Sequence, residues 1–446
     1  VSDVRAKVEE LRRAAPAWEA RGPWERLQVL EQWVQELRAH RHELRDALVR
    51  DTGRVVLSDM EIDAVLSSVQ RHGRWLAEVL PEQRPRPSSD PGVTITDASE
   101  PIGVAGVISP WNFPLQLALI DAVPALLMGC PVIVKPTEVC PAFVGPLRRT
   151  IEAVPALAEV LAIVEGGPET GREIVASVDV VCFTGSVATG RQVAVAAAEA
   201  FVPAFLELGG KDAALVAVGA DLDVAAAALV WGGTANTGQS CMSIERVYVE
   251  EAVAEQLVDR LVTQARRVGL HGVDEGGELG PFIDPRQADV VLGQVRSAVA
   301  AGATVLTGGE VEVHEGRPYM RPTVVTAVDH SMELMTEETF GPVLPVMAVP
   351  DMDEAVRLAN DTRYGLSGAV FGPQDTAPAL AARLHAGGLS VNDVLLTGMV
   401  PEGEKQAFKL SGMGPSRMGP ASLRRFRRQR VVLTRQQPAR QPWWYA

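Results

Sequence analysis

The stretch IGVAGVISPWNFPLQLALIDAVPALLMGCPVIVKPTE, residues 102–138, decides the fold. Two short apolar runs, IGVAGVIS and PVIVK, flank a segment that Pro114 opens and Gly129 closes, the places where a first helical turn accepts proline and a helix end favours glycine. The pattern predicts strand, helix, strand. Neither run alternates apolar with polar residues, so each strand is expected to be covered on both faces, as in a parallel sheet wrapped by helices.

The same alternation continues outward. VLAIV (160–164), a helix after Gly167, VDVVCFTG (178–185) and FLELGGKDAALVAV (205–218) follow in order. It restarts with an Ala-rich helix at about 222–233, the strand ERVYVE (245–250), and further strand and helix pairs to GLSVND (388–393). Upstream, Leu27, Leu30, Val34, Leu37, Leu44 and Leu48 recur at helical spacing, so residues 1–80 read as helices until PEQRPRPSSDPG (81–92) breaks the pattern. The expected class is α/β, with a doubly wound parallel-sheet domain of nucleotide-binding type and a second α/β domain. No period of repeats and no low-complexity tract interrupts it.

Composition narrows the function. At 446 residues and 47% hydrophobic, the chain is a globular protein too long for one core. Its formal charge of -14 disfavours nucleic acid and anionic membrane as partners. The basic run RRFRRQR (424–430) reads as a solvated helix end, since no stacking aromatics repeat beside it. Four cysteines without a CxxC or a histidine cluster make neither a disulfide framework nor a metal site, and imply a reducing cytoplasm. The charged start VSDVRAKVEELRRA is not expected to be a secretory signal. The longest apolar stretch, 115–134, is broken by Gln116, Asp121, Pro124 and Pro131, so no segment is expected to span a membrane. The tail QQPARQPWWYA carries three aromatics that are expected to dock on a neighbouring surface.

Six places could carry chemistry. In ANTGQSCMSIERVYV (235–249), Cys241 sits among Gln239, Ser240 and Ser243 after a flexible Asn236-Thr237-Gly238 turn, either an accident of a loop or a nucleophile at the mouth of a site. Asn112 in ISPWNFP offers an uncharged donor that suits a developing oxyanion. Phe113, Leu117 and Ile120 share one helical face and are either core or the wall of an apolar tunnel. Lys135 and Glu138 in VKPTE stand beyond a buried strand, where a carboxylate can hold a ribose diol, though they equally fit a surface ion pair. Gly185 and Ser186, in a sequence that lacks G-x-G-x-x-G, stand where a pyrophosphate could meet a helix N-terminus, or form an ordinary tight turn. Glu207 in FLELGGK is a general-base candidate, or a structural carboxylate at a strand end.

Taken together, PWNFP, VKPTE, FTGS, ELGGK, GQSC and EETFGPV, in that order over roughly residues 100–395, resemble the aldehyde dehydrogenase superfamily. The resemblance implies that Cys241 is the nucleophile, Asn112 with the Cys241 N–H the oxyanion hole, and Glu207 the base that activates water. It implies NAD as cofactor, with NADP as the alternative. Lys135 and Glu138 would hold the adenosine ribose, Gly167, Gly185 and Ser186 would pack on the nucleotide beside Trp111, and Glu338 with Phe340 would position the nicotinamide. No metal is implied. Cys130, Cys140 and Cys182 read as inert packing residues.

The implied layout assigns 1–82 and 102–209 to NAD(P) binding and 210–411 to catalysis. Segments 83–101 and 428–437 would be for oligomerisation, pairing between subunits of a homodimer or homotetramer, and 438–446 would form a tail. Where the family often has Pro-Phe-Gly-Gly before Lys-x-Ser-Gly, this chain has EKQAFKLSGMG (404–414). Ser240 and Met242 beside the nucleophile offer no cation, so with Leu117 and Ile120 they favour an apolar aliphatic or aromatic aldehyde. Three rivals remain. A coenzyme A-acylating relative would typically lack Glu207; a silent binding protein on the same fold need not retain Asn112, Glu207 and Cys241; and a zinc-dependent or Rossmann-fingerprint dehydrogenase lacks its ligands and glycines here.

Overall fold

In the computed structural model, which describes residues 3–80 and 84–436, two large sheets organise the chain. The first has six strands in the spatial order Gly412–Met413, Ala204–Glu207, Val180–Thr184, Ala105–Ile108, Val132–Lys135 and Leu161–Ile163. All neighbours are parallel except Gly412–Met413, which runs antiparallel to Ala204–Glu207. Sequence order steps outward in both directions from Ala105–Ile108, so the winding reverses between that strand and Val180–Thr184. Ligands of doubly wound sheets bind beyond the C-terminal strand ends at such a reversal.

The second sheet has seven strands, ordered Thr304–Thr307, Thr323–Thr326, Val343–Val349, Ile244–Glu250, Asp212–Val216, Ser367–Phe371 and Gly388–Val391. Only its first pair is antiparallel. The inner strands of both sheets are buried along their length, as their unbroken apolar runs predict. Four residues, 208–211, carry the chain from the end of Ala204–Glu207 into Asp212–Val216.

Helices Val4–Ala20, Gly22–Ala39, Arg41–Thr52 and Val56–Val79 turn their apolar faces onto the first sheet and its helices. Trp18 and Trp33 are fully buried there, and each finds a partner for its indole N–H: Leu126 O at 3.0 Å and Thr150 Oγ1 at 2.9 Å. Burying a large apolar side chain contributes about 1.5–3 kcal/mol, but only if its polar handle is satisfied. No helix among the described residues is long and apolar enough to cross a membrane.

Three expectations need correction or fall outside the described residues, and the segments assigned to oligomerisation are seen here within one chain. The single helix expected from Pro114 to Gly129 is two, Pro114–Leu119 and Ala122–Leu127. Pro124 has no N–H for the carbonyl of Ile120, and at the break Asp121 turns inward to pair with Arg417 at 2.6 Å and Arg425 at 2.5 Å. In RRFRRQR the expected solvation holds for Arg424, Arg428, Gln429 and Arg430, which are exposed, but not for Arg425. Arg425 is buried, its guanidinium within 4.9 Å of the Phe205 ring centre and 5.0 Å of that of Phe426. From Arg427 the run is a strand, not a helix end. The segments expected to pair between subunits are joined within one chain: Arg427–Arg435 lies antiparallel to Val93–Pro101 in a three-stranded sheet completed by Arg86–Pro87. The docking expected of tail residues 438–446 lies outside the described residues.

Candidate active site

One cavity of about 270 Å³ gathers Trp111, Asn112, Glu207, Cys241, Glu338 and Phe340, with Gly185 and Ser186 along its wall. Trp111 and Asn112 follow strand Ala105–Ile108, Gly185 and Ser186 follow Val180–Thr184, and Glu207 ends its own strand. All three are therefore C-terminal strand ends of the first sheet, on both sides of the winding reversal. Cys241 and the Glu338–Phe340 loop come from the other direction, ahead of strands Ile244–Glu250 and Val343–Val349 of the second sheet. The cavity is the seam between the two sheets.

The turn before Cys241, expected to be flexible, is buried and held by hydrogen bonds. Asn236, Thr237 and Gly238 take φ values of 57°, 58° and 68°, and all three are buried. A side chain at 238 would strike the Gly341 carbonyl, so glycine is required there. Left-handed backbone costs of order 1–3 kcal/mol at a residue such as Thr237, and surrounding bonds must hold it. Thr237 Oγ1 donates to Gly280 O at 2.7 Å, Gln239 Nε2 donates to Asn236 O at 2.9 Å, and Gln239 Oε1 accepts from Ile283 N at 2.9 Å.

That turn also fixes Asn112. Its Nδ2 donates to Gln239 O at 3.1 Å, so the amide is held against the loop that carries Cys241. Its backbone carbonyl accepts from Asn236 Nδ2 at 3.0 Å and from Arg54 at 2.7 Å. Arg54 is buried, bonds Asn236 Oδ1, and pairs with the buried carboxylate of Glu61. Glu61 Oε2 in turn accepts from the N–H groups of Leu115 and Gln116, each at 3.1 Å, at the start of helix Pro114–Leu119. Sequence reading missed Arg54 and Glu61, because nothing local marks an arginine between two helices and a helical glutamate as the brace of a loop 58 and 54 residues away.

Lys211 and Glu245 form a second buried brace. They pair at 2.8 Å, and Glu245 accepts from the N–H groups of Thr339 and Phe340 at 2.8 Å each. This holds Phe340 at a φ of 54° and sets its ring edge-on to Trp111, with centroids 5.5 Å apart. Glu338 accepts from Gly210 N at 3.0 Å, and burial with Glu245 nearby pushes its carboxyl up to about 8. Burial also pushes the Cys241 thiol up to about 12; the positive charge of Lys405 opposes this, and Glu338, Asp212 and Glu207 reinforce it. Burial pushes Cys130 up to about 11, and Cys140 and Cys182 to about 12.

Other sequence candidates lie around this centre. Lys135 is buried, with its ammonium bonded to Pro136 O at 3.1 Å and paired with the exposed Glu138 at 2.9 Å. Gly167 caps helix Pro168–Val175 with open space where a β-carbon would be. Ser186 caps helix Val187–Ala200, accepting from Thr189 N at 3.2 Å. Ile120 faces a separate cavity of about 430 Å³ with Arg71, Trp75, Gln116 and Met399. Phe113 and Leu117 line neither cavity; the Phe113 ring lies 5.0 Å from the Arg54 guanidinium. Ser240 Oγ accepts from Met242 N at 3.4 Å, and Met242 Sδ lies 3.8 Å from Thr397 Oγ1.

The model of the aldehyde dehydrogenase family matches residues 1–432. The chain belongs to the aldehyde dehydrogenase family. Among solved structures, the chain is 47% identical to PutA of Anabaena variabilis, provisionally named an aldehyde dehydrogenase. The match covers 99% of this chain and 95% of that one, with a TM-score of 0.97. A protein of Mycolicibacterium smegmatis provisionally named a succinate-semialdehyde dehydrogenase [NADP(+)] is 36% identical over 88% of this chain and 76% of its own. The 4,4'-diapolycopene aldehyde oxidase of a Methylomonas species is 36% identical over 88% and 74%. This aldehyde dehydrogenase thus pairs the family's doubly wound α/β fold with the seam cavity described above.

Proposed function

We propose that this NAD(P)-dependent aldehyde dehydrogenase oxidises its aldehyde through Cys241 and releases the acid with water activated by Glu207. The observation that carries the reading is the joint presence of Cys241, Asn112 and Glu207 on one cavity, with Asn112 bonded to the Cys241 loop. The Cys241 sulfur adds to the carbonyl carbon. The Asn112 amide, which spends one N–H on Gln239, has a second N–H for the oxyanion, alongside the Cys241 backbone N–H. When bound, a nicotinamide dinucleotide would supply the hydride acceptor that the oxidation of the Cys241-linked carbonyl carbon needs. Glu207 then removes a proton from water as that water attacks the thioester, and the thiol leaves.

The residues present fit such a cofactor. Two helix N-termini, at Gly167 and Ser186, stand at the same sheet end, and each offers unpaired N–H groups and positive partial charge to a pyrophosphate. Lys135 and Glu138 would hold the adenosine ribose, Trp111 would lie beside the nucleotide, and Glu338 and Phe340 would orient the nicotinamide. Glu138 disfavours a 2'-phosphate and Lys135 offsets it, so NAD is the expected coenzyme with NADP as the alternative.

On this reading residues 1–82 and 102–209 bind the dinucleotide and 210–411 carry the nucleophile. The three-stranded sheet supports assembly into a dimer or tetramer through its open edge, where Val431, Val432 and Leu433 are exposed. Four unpaired cysteines fit a reducing cytoplasm. The names of relatives span a carboxylated semialdehyde and a long apolar aldehyde. Uncharged Ser240 and Met242 beside Cys241 favour an apolar aliphatic or aromatic aldehyde as substrate. A panel of aldehydes graded in length, run with NAD and with NADP, tests the reading. A burst of reduced coenzyme stoichiometric with enzyme is expected, lost in Cys241→Ala, and retention of the burst in that variant would dismiss the assignment.

A further inference from the structure

The cavity of about 430 Å³ that Ile120 faces is separate from the one that holds Cys241, and its size falls in the range of small-ligand sites. Its lining is of two kinds. Met60, Trp75, Ile120 and Met399 make apolar walls, and the thioether chains adapt to the shape of what they cover. Arg71 and Arg417 bring two guanidinium groups to the same space.

The protein satisfies neither guanidinium. The Nε of each is buried without a hydrogen-bond partner. Arg417, whose side chain is 10% exposed, spends Nη2 on Asp121 at 2.6 Å and on Thr184 Oγ1 at 2.8 Å, and its Nη1 makes no hydrogen bond among the described residues. Thr184 lines the Cys241 cavity and pairs in register with Glu207 on the next strand, so Arg417 stands between the two cavities. Asp121 is shared with the buried Arg425, so one carboxylate meets two guanidinium groups and the cluster is net positive. Arg71 makes one long hydrogen bond, from Nη1 to Ser67 Oγ at 3.4 Å, and no ion pair among the described residues.

The rest of the wall supplies no free anion. Asp63, its only carboxylate among the described residues, pairs with Arg41. Burial pushes His72 down to about 4, so its ring is neutral at pH 7. A cation drawn out of water is unfavourable until an anion completes it, and guanidinium meets carboxylate through paired N–H donors. Oxidising a neutral apolar aldehyde makes such a ligand: a carboxylate on an apolar chain.

We propose that this cavity binds the product acid, its carboxylate on Arg71 and Arg417 and its chain against Trp75, Ile120 and Met399, so that product held beside the seam inhibits the enzyme. The proposal rests on the reading that an apolar aldehyde is oxidised to its acid.

Calorimetric titration of the full chain with octanoate, and with octanol as the uncharged molecule of equal length, tests the site. Octanoate should bind wild type more tightly by about 10-fold or more. Loss of a charge-assisted hydrogen bond should weaken octanoate about 10- to 100-fold in Arg71→Met, and Arg71→Lys should keep part of the affinity. Met399→Trp, which fills the cavity from its exposed rim, should weaken it as well. With octanal as substrate, the inhibition constant of octanoate should rise in Arg71→Met by the factor found in the titration. Equal affinity for octanoate and octanol, or wild-type affinity in either Arg71→Met or Met399→Trp, would overturn the proposal. Failure of the underlying reading is distinct: Cys241→Ala would then still oxidise octanal, whereas the titrations need no turnover.

Discussion

The guanidinium of Arg54 donates to the backbone carbonyl of Asn112 at 2.7 Å, and both residues are buried. Because Arg54 also bonds Asn236 and pairs with Glu61, it ties the loop of Asn112 to the loop of Cys241. Removing one partner of a buried pair costs about 3–5 kcal/mol. Arg54→Met should therefore lower the urea midpoint and reduce kcat, while fluorescence titration finds dinucleotide affinity near wild type. Wild-type kcat in a folded variant would remove Arg54 from the positioning of Asn112.

Asn112→Ala tests the oxyanion donor itself. Loss of one such donor typically costs about 10²- to 10³-fold in rate. The expected variant has kcat reduced on that scale with coenzyme binding intact by calorimetry, and a reduction confined to KM would assign Asn112 to substrate binding instead.

Glu207→Gln should separate the two halves of the reaction. Without a base the thioester persists, so intact-protein mass spectrometry after mixing with coenzyme and aldehyde should find the acyl adduct on Cys241, and steady-state turnover should cease. Normal turnover would mean that another group activates the water.

Asp212, fully buried against Ser367, is pushed by burial up to about 7 from a usual value near 3.8. Between those values the folded protein holds a proton that the unfolded chain has lost, so this group's contribution to stability falls as pH rises through the window. Relative to Asp212→Asn, wild type should lose stability from about pH 4 to pH 7 and level off above it. Urea midpoints of the two proteins that run parallel from pH 5 to 8 would contradict the buried, protonated state.

How much of this could be read in the sequence depended on sequence distance. Asn112, Gly185, Glu207 and Cys241 each sit at a strand end or loop whose local pattern announces it, and the parallel sheet needs only their order to bring them to one seam. Arg54 and Glu61 carry no local signal, because their role is created by tertiary packing against the loop of Asn112. The inward turn of Asp121 was hidden for the same reason: its partners Arg417 and Arg425 are 296 and 304 residues away. The left-handed turn at 236–238 looked loose because Asn and Gly permit mobility as readily as they permit a fixed unusual backbone.

The four residues between Glu207 and Asp212 act as a short tether at one end of the seam. Five Cα steps reach at most about 18 Å, even fully stretched. Gly210 leaves no slack either, since a β-carbon there would lie 2.5 Å from the Cys241 carbonyl oxygen. The crossing thus fixes how far the end of Ala204–Glu207 can stand from the start of Asp212–Val216, and it sets the backbone of Gly210 directly against the loop of Cys241.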